Sequence, residues 1–353
     1  MAENAGVPRF SKEEFARRHA AAREIILLLF PAEGEPVLWV NYANHVADAR
    51  RVSIVDDVRW GGDDLAETAA TELNQRGLGS RRIGIGGPAT HSYWMTLQGL
   101  CSHAELVDVQ RILTEQRLVK SEEEIDWARI GAELSDLAIN ALAREARPGL
   151  SEHDLAAIVQ AAYYHLGGRT HIHYVGTTPM DAPSLCVPAQ VQSSRRLAAG
   201  DVILTELSAM HHGYWGQVLR CFAVGAEPTA KYLRMHEVAV SVFDRIIGTL
   251  CDGTTSAQLV EVAEDIHRAG YTICDDLVHM AVGGVYAPYV RTRRTTKGKP
   301  ATFTYRENML VVIQPNVVSE DQRMGVQVGE LVRVTKTGVE RLHRAPLEFI
   351  RCG

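Results

Sequence analysis

GDVILTELSAMHHGYWGQVLRCFAVG, residues 200–225, reads as two strands, 201–209 and 213–224, joined by a tight turn at His211-His212-Gly213. Paired strands in a catalytic domain often carry carboxylates that hold metal ions. In this stretch the two positions where such carboxylates would sit hold Glu206 and Gln217. The chemistry of the molecule turns on what that pair does.

Working outward, SEEEIDWARIGAELSDLAINALAREA opens with Ser121 and Glu124 in capping-box spacing and continues as a long amphipathic helix. Pro148-Gly149 breaks it, and Ser151 with Asp154 caps a second helix closed by Gly167-Gly168. Further helices are expected at 228–249 and 255–269, and NMLVVIQPNVV and GVQVGELVRVTKTGVERL read as strands. Residues 117–353 thus run helix, helix, hairpin, helix, helix, hairpin. That duplication predicts two hairpins side by side in one curved antiparallel sheet, helices on its outer face and a ligand on the concave face.

Residues 1–116 differ in character. Residues 12–24 read as a helix and IILLLF as a buried strand, followed by VLWVNY as a strand. DDLAETAATELNQRGLG is a helix ended by glycine, RRIGIGG a short buried strand, and LVDVQRIL closes the segment. This alternation predicts a small α/β domain, so the fold class is α/β (α+β) with two domains, as a chain of 353 residues suggests. IGIGG fails the spacing of a dinucleotide fingerprint.

The charge balance, 37 − 43 = −6, gives no basic footprint for nucleic acid. The local cluster Arg291, Arg293, Arg294, Lys297 and Lys299 reads as a solvated loop. No apolar run is long enough to span a membrane, and MAENAGVPRFSKEEF lacks the apolar core of a secretion signal. Six scattered cysteines without paired spacing suit a reducing cytoplasm.

The order of segments resembles the creatinase, prolidase and methionine aminopeptidase family, whose fold is the pita bread. RLVKSEEEIDWAR, the hairpin at 200–225, DDLVHMAVGGVYAP, NMLVVIQPNVV and GVQVGELVRVTKTG are each similar to a family segment, in the family's order. The resemblance covers essentially the whole chain. Residues 1–116 look like the N-terminal domain of the creatinase and prolidase branch.

The resemblance implies a site where family peptidases hold two metal ions with two Asp, one His and two Glu. Carried over, those positions are Glu206, Gln217, His279, Gln314 and Gly329, so the histidine alone is retained. Bridged divalent ions need several anionic oxygens, which this set does not supply. Glu330 is beside Gly329, but successive strand residues point to opposite faces unless a bulge intervenes. No metal and no cofactor are therefore expected. Creatinase, a family member that hydrolyses a C–N bond without metal using a histidine and carboxylates, is the precedent. Its His-x-Pro segment is matched here by Cys186-Val187-Pro188.

The expected activity is metal-independent hydrolysis of an amide- or amidine-type C–N bond in a small polar molecule, not peptide cleavage. His279 is the expected base, and Glu206, buried without metal, is an acid or base of raised pKa. Gln217 and Gln314 are expected to bind substrate by hydrogen bonds. His171 and His173 alternate in THIHYVG and are expected to share one face, His173 contacting substrate. Cys186 reads as a nucleophile or a buried structural thiol, while Tyr214 and Tyr286 are candidate oxyanion donors or wall residues. Arg220 reads as a structural partner within the hairpin. A lyase acting by base-catalysed elimination and a non-catalytic binding module are the rival readings. The resemblance also implies a homodimer.

Overall fold

The computed structural model describes residues 26–281, 288–297 and 302–353. The helix expected at 12–24, Lys299, the Gly283-Gly284 pair and Tyr286 lie outside the described residues. The chain divides into two compact units, Met1–Gln116 and Arg117–Gly353.

In the first unit, β1 (Ile26–Leu29) pairs antiparallel with β2 (Val37–Val40), and β2 pairs in parallel with β3 (Asp57–Trp60). Between β2 and β3 runs α1 (Val46–Val52). The helix α2 (Leu65–Gln75) starts where the Asp64 carboxylate accepts from the Ala66 and Glu67 amides, and it ends before Gly77 at φ +70°. Then follow β4 (Arg82–Ile85), α3 (His91–Leu100), β5 (Glu105–Asp108) and α4 (Gln110–Leu118), with β4 and β5 forming a parallel two-stranded ladder. Two strands expected to be buried are not. At the edge of its sheet, β1 leaves Leu28 41% exposed, with Phe30 beyond its end 65% exposed, and β4 is half-exposed in a ladder too narrow to cover it.

The second unit begins with α5 (Glu122–Glu145) and α6 (Glu152–Tyr164). Both capping boxes form, Ser121 with Glu124 and Ser151 with Asp154, because each needs only residues three apart. Three long strands follow, β6 (Arg169–Pro179), β7 (Asp201–His211) and β8 (Tyr214–Val224). After α7 (Ala230–Thr249) and α8 (Ser256–Arg268) come the short strands β9 (Val278–Met280), β10 (Tyr289–Val290), β11 (Leu310–Ile313), β12 (Asn316–Val318), β13 (Gly325–Gln327), β14 (Gly329–Val334), β15 (Val339–Arg341) and β16 (Ile350–Cys352). The main path of the sheet, β10-β9-β11-β14-β8-β7-β6, is antiparallel at every step, with β15 antiparallel on β14 and β16 parallel to β8 beside it. The β7–β8 hairpin therefore lies beside the later pair β14–β11, as the duplication predicted.

Two helix pairs hold this sheet. Leu142, Leu155 and Val159 of α5 and α6 pack on Ile203, Leu207 and Phe222, all buried. Phe243, Ile246, Leu259 and Ile266 of α7 and α8 pack with Val202, Leu204, Val311 and Val332. Each such side chain removed from water contributes about 1.5–3 kcal/mol. Gly216 lets α5 approach the hairpin closely. A Cβ at that position would lie 2.3 Å from Ala132 backbone atoms. Ser135 seals the contact, donating to the Gly216 carbonyl at 2.6 Å and accepting from the Ala209 amide at 2.8 Å. Among the described residues, no helix is long and apolar enough to cross a membrane.

Candidate active site

Strand register decides which side chains meet. Ser208 lies opposite Gln217, and Glu206 lies opposite Leu219. Leu219 lies opposite Gly329, Leu331 opposite Val312, and Val312 opposite His279. Directly paired residues share a face, as do residues two apart on one strand. Glu206, Gln217, Gly329 and His279 therefore occupy one face of the sheet, which opens onto a cavity of about 550 Å³.

Its floor is a chain of hydrogen bonds. Gln217 Nε2 donates to Glu206 Oε1 at 2.8 Å and to Gln314 Oε1 at 2.9 Å. Gln217 Oε1, fully buried, has no hydrogen-bond partner. His279 forms part of the wall, half-buried, its ring centroid 6.1 Å from that of Trp215. Burial holds the His279 pKa below the usual imidazole range, so the ring is neutral near pH 7.

The structure adds residues that sequence reasoning passed over. Asp275 and Asp276 line the cavity, with Cys274 beside them. Asn316 positions this turn, its Oδ1 accepting from the Cys274 amide at 3.0 Å and the Asp275 amide at 3.2 Å. Burial, then the charges of Asp275 and Asp276, raise the Glu206 pKa to about 8. Burial and the Asp276 carboxyl raise Asp275 to about 6. The signal was present in the acidic pair of DDLVH, three and four residues before His279.

Other expectations are corrected. His171 and His173 do not share a face, because the β6–β7 register shifts between Thr170 and Ile172. The bulge turns His171 into the cavity, stacked on Trp215 at 4.9 Å, while His173 Nε2 meets the Tyr163 hydroxyl away from it. Tyr214 is also elsewhere, its hydroxyl donating to Glu124 Oε1 at 2.9 Å. Cys186 is buried behind the wall formed by Val187 and Pro188, its Sγ 3.9 Å from that of Cys274. Glu330, by contrast, faces away from the cavity as strand alternation predicts, bound to Arg220 at 2.8 Å and Arg341 at 2.5 Å. Of the expected site residues, Glu206, Gln217, His279 and Gln314 converge.

The raised Glu206 pKa has a consequence for stability. The folded protein binds this proton more tightly than the unfolded chain does. Its contribution is therefore complete below the ordinary value of 4.5 and lost as pH rises through about 8. Glu206→Gln keeps the acceptor for Gln217 and removes the titration. The variant is expected to match the parent near pH 4.5 and to exceed its stability by a few kcal/mol above pH 8, read from urea unfolding at several pH values. Parallel pH profiles for the two proteins would show that Glu206 is not the buried acid.

The model of metallopeptidase family M24 matches residues 126–336, and that of the creatinase/prolidase N-terminal domain matches residues 19–119. An Xaa-Pro dipeptidase of Pyrococcus furiosus is 23% identical, over 76% of this chain and 75% of its own length. A creatinase of a Bacillus species is 22% identical, over 96% of this chain and 92% of its own. Among solved structures, an Xaa-Pro dipeptidase from Bacillus anthracis superposes with a TM-score of 0.77 at 19% identity, covering 96% of this chain and 93% of that one. The prolidase from Pyrococcus furiosus gives 0.75 at 20%, covering 90% of each. These likenesses establish the pita-bread fold.

Proposed function

The chain belongs to metallopeptidase family M24, and we propose that it hydrolyses an amide- or amidine-type C–N bond of a small polar molecule without a bridged metal pair. The observation that carries this reading is the cavity floor, where the Gln217 amide bridges Glu206 and Gln314 beside a neutral His279. Relatives named creatinase and Xaa-Pro dipeptidase support a hydrolase.

The donor set does not fit two bridged divalent ions. Gln217 and Gln314 are neutral amides, and a carboxamide presents one weak oxygen donor where a carboxylate bridges with two. At Gly329 a Cβ would lie 2.4 Å from the Ile313 carbonyl oxygen and 2.8 Å from Gln314 Cα, so the chain has closed over that position. Glu330 cannot substitute while Arg220 and Arg341 hold it on the opposite face. Among the described residues no group of three or more His, Cys, Asp or Glu is placed to hold an ion.

The residues present do supply an acid and a base. Near pH 7 Glu206 carries its proton and His279 is neutral. Water held by His279 adds to the carbonyl or amidine carbon, its proton passing to the imidazole. Glu206 donates its proton to the leaving nitrogen as the C–N bond breaks, and the imidazolium proton then returns to Glu206. Glu206, Asp275 and Asp276 face the cavity, and no Lys or Arg lines it among the described residues. With the unpartnered Gln217 Oε1 and the faces of Trp215 and Tyr174, this lining favours a substrate with a positive, N–H-rich group.

Incubation of cationic amides, amidines and guanidines in ¹⁸O-labelled water tests the reading. One labelled oxygen in the product that retains the attacked carbon is expected. An alkene without label would establish elimination, and saturable binding without turnover would establish a binding module.

A further inference from the structure

We propose that Cys186 and Cys274 form an oxidisable dithiol, a covalent modification site in the wall of the cavity that closes to a disulfide on exposure to a peroxide. Their sulfurs are 3.9 Å apart although the residues lie 88 positions apart in the chain. All six cysteines are free thiols. The pair is asymmetric: Cys274 is exposed and lines the cavity, whereas Cys186 is buried.

Both sulfurs sit on segments that register and hydrogen bonds hold in place. Leu185, beside Cys186, bridges to Met324, and the Cys186 carbonyl is packed so tightly on Gly325 that a Cβ there would lie 2.0 Å from it. Asn316 fixes the Cys274 amide on the other side. The geometry therefore places the sulfurs side by side. Bonding requires them to approach to about 2.0 Å. Turning the side chains and moving the exposed Cys274 turn slightly supplies that approach.

The chemistry balances with hydrogen peroxide as oxidant. The Cys274 thiol donates to Cys186, which lowers the Cys186 pKa and makes it the more acidic partner. Cys186 thiolate attacks one peroxide oxygen, the O–O bond breaks, and the departing hydroxide takes up the thiol proton as water. The Cys186 sulfenic acid is then attacked by the Cys274 sulfur. The S–O bond breaks, and the hydroxide leaves as water with the Cys274 proton. Two thiols and one peroxide give one disulfide and two waters.

The bond would tie the turn carrying Asp275 and Asp276 to the segment carrying Val187 and Pro188, and all four residues line the cavity. Oxidation is therefore expected to lower turnover, a consequence that rests on the proposed function; the disulfide itself does not.

The full-length protein is treated with equimolar peroxide, the remaining thiols are alkylated, and the digest is mapped without reductant. A crosslinked peptide pair containing Cys186 and Cys274 is expected, lost on treatment with dithiothreitol and absent from Cys274→Ser, whose exposed position tolerates the change. Both cysteines found alkylated, or Cys274 found as a sulfinic acid without crosslink, would overturn the proposal. A crosslinked protein that shows no turnover in either state upholds the dithiol and counts against the functional reading alone.

Discussion

Replacing His279 with alanine is expected to lower kcat/KM by about 10²–10⁴-fold while circular dichroism and the unfolding midpoint stay near those of the parent. The magnitude is that of a general base removed from a site whose other groups remain. Gln217 still bridges Glu206 and Gln314 in the variant, so the floor keeps its shape. His279 is half-buried, and its Nδ1 contact with the Met280 carbonyl, at 3.4 Å, is long. Truncation therefore costs the fold little. On the proposed mechanism, in which the imidazole acts on water rather than on a cationic substrate group, the fall should be in kcat more than in KM. A loss below about threefold would remove His279 from the chemistry.

The second large effect concerns stability. Glu330→Gln is expected to destabilise the protein by about 3–5 kcal/mol, seen as a fall of roughly 10 °C in Tm. Arg220 and Glu330 are both completely buried, with the guanidinium also donating to the carbonyls of Leu219, Gly329, Ala345 and Pro346. Removing the carboxylate charge leaves the buried Arg220 cation without its ion-pair partner and beside the Arg341 cation, which loses the same partner. Replacing both partners with apolar residues should not rescue it, because those four carbonyls would lose their donor. A change under 1 kcal/mol in Glu330→Gln would contradict the assignment of Glu330 to the structural side of the sheet.

That assignment also shows what a single sequence can reveal. Strand alternation alone set Glu330 opposite to Gly329, and the register agrees. Capping at Ser121 and Ser151 was equally legible, because each device lies within four residues. The same alternation failed at His171 and His173. A bulge depends on how β6 pairs with β7, more than thirty residues later, and THIHYVG carries no mark of it. Tyr214 was misplaced for a similar reason, since its partner Glu124 is 90 residues away. The acidic turn at Asp275 and Asp276 was visible as residues, but Asn316, about 40 positions on, brings it to the cavity. Local signals gave the elements and their faces; contacts distant in the chain completed the site.

The central claim is that this family M24 cavity works through side chains rather than a bridged metal pair. Equilibrium dialysis of the full-length protein against micromolar manganese, cobalt or iron, followed by elemental analysis, tests it most directly and requires no substrate. The account predicts no stoichiometric metal, and a content unchanged in a His279→Ala variant. Two ions bound per chain, and lost in that variant, would contradict it.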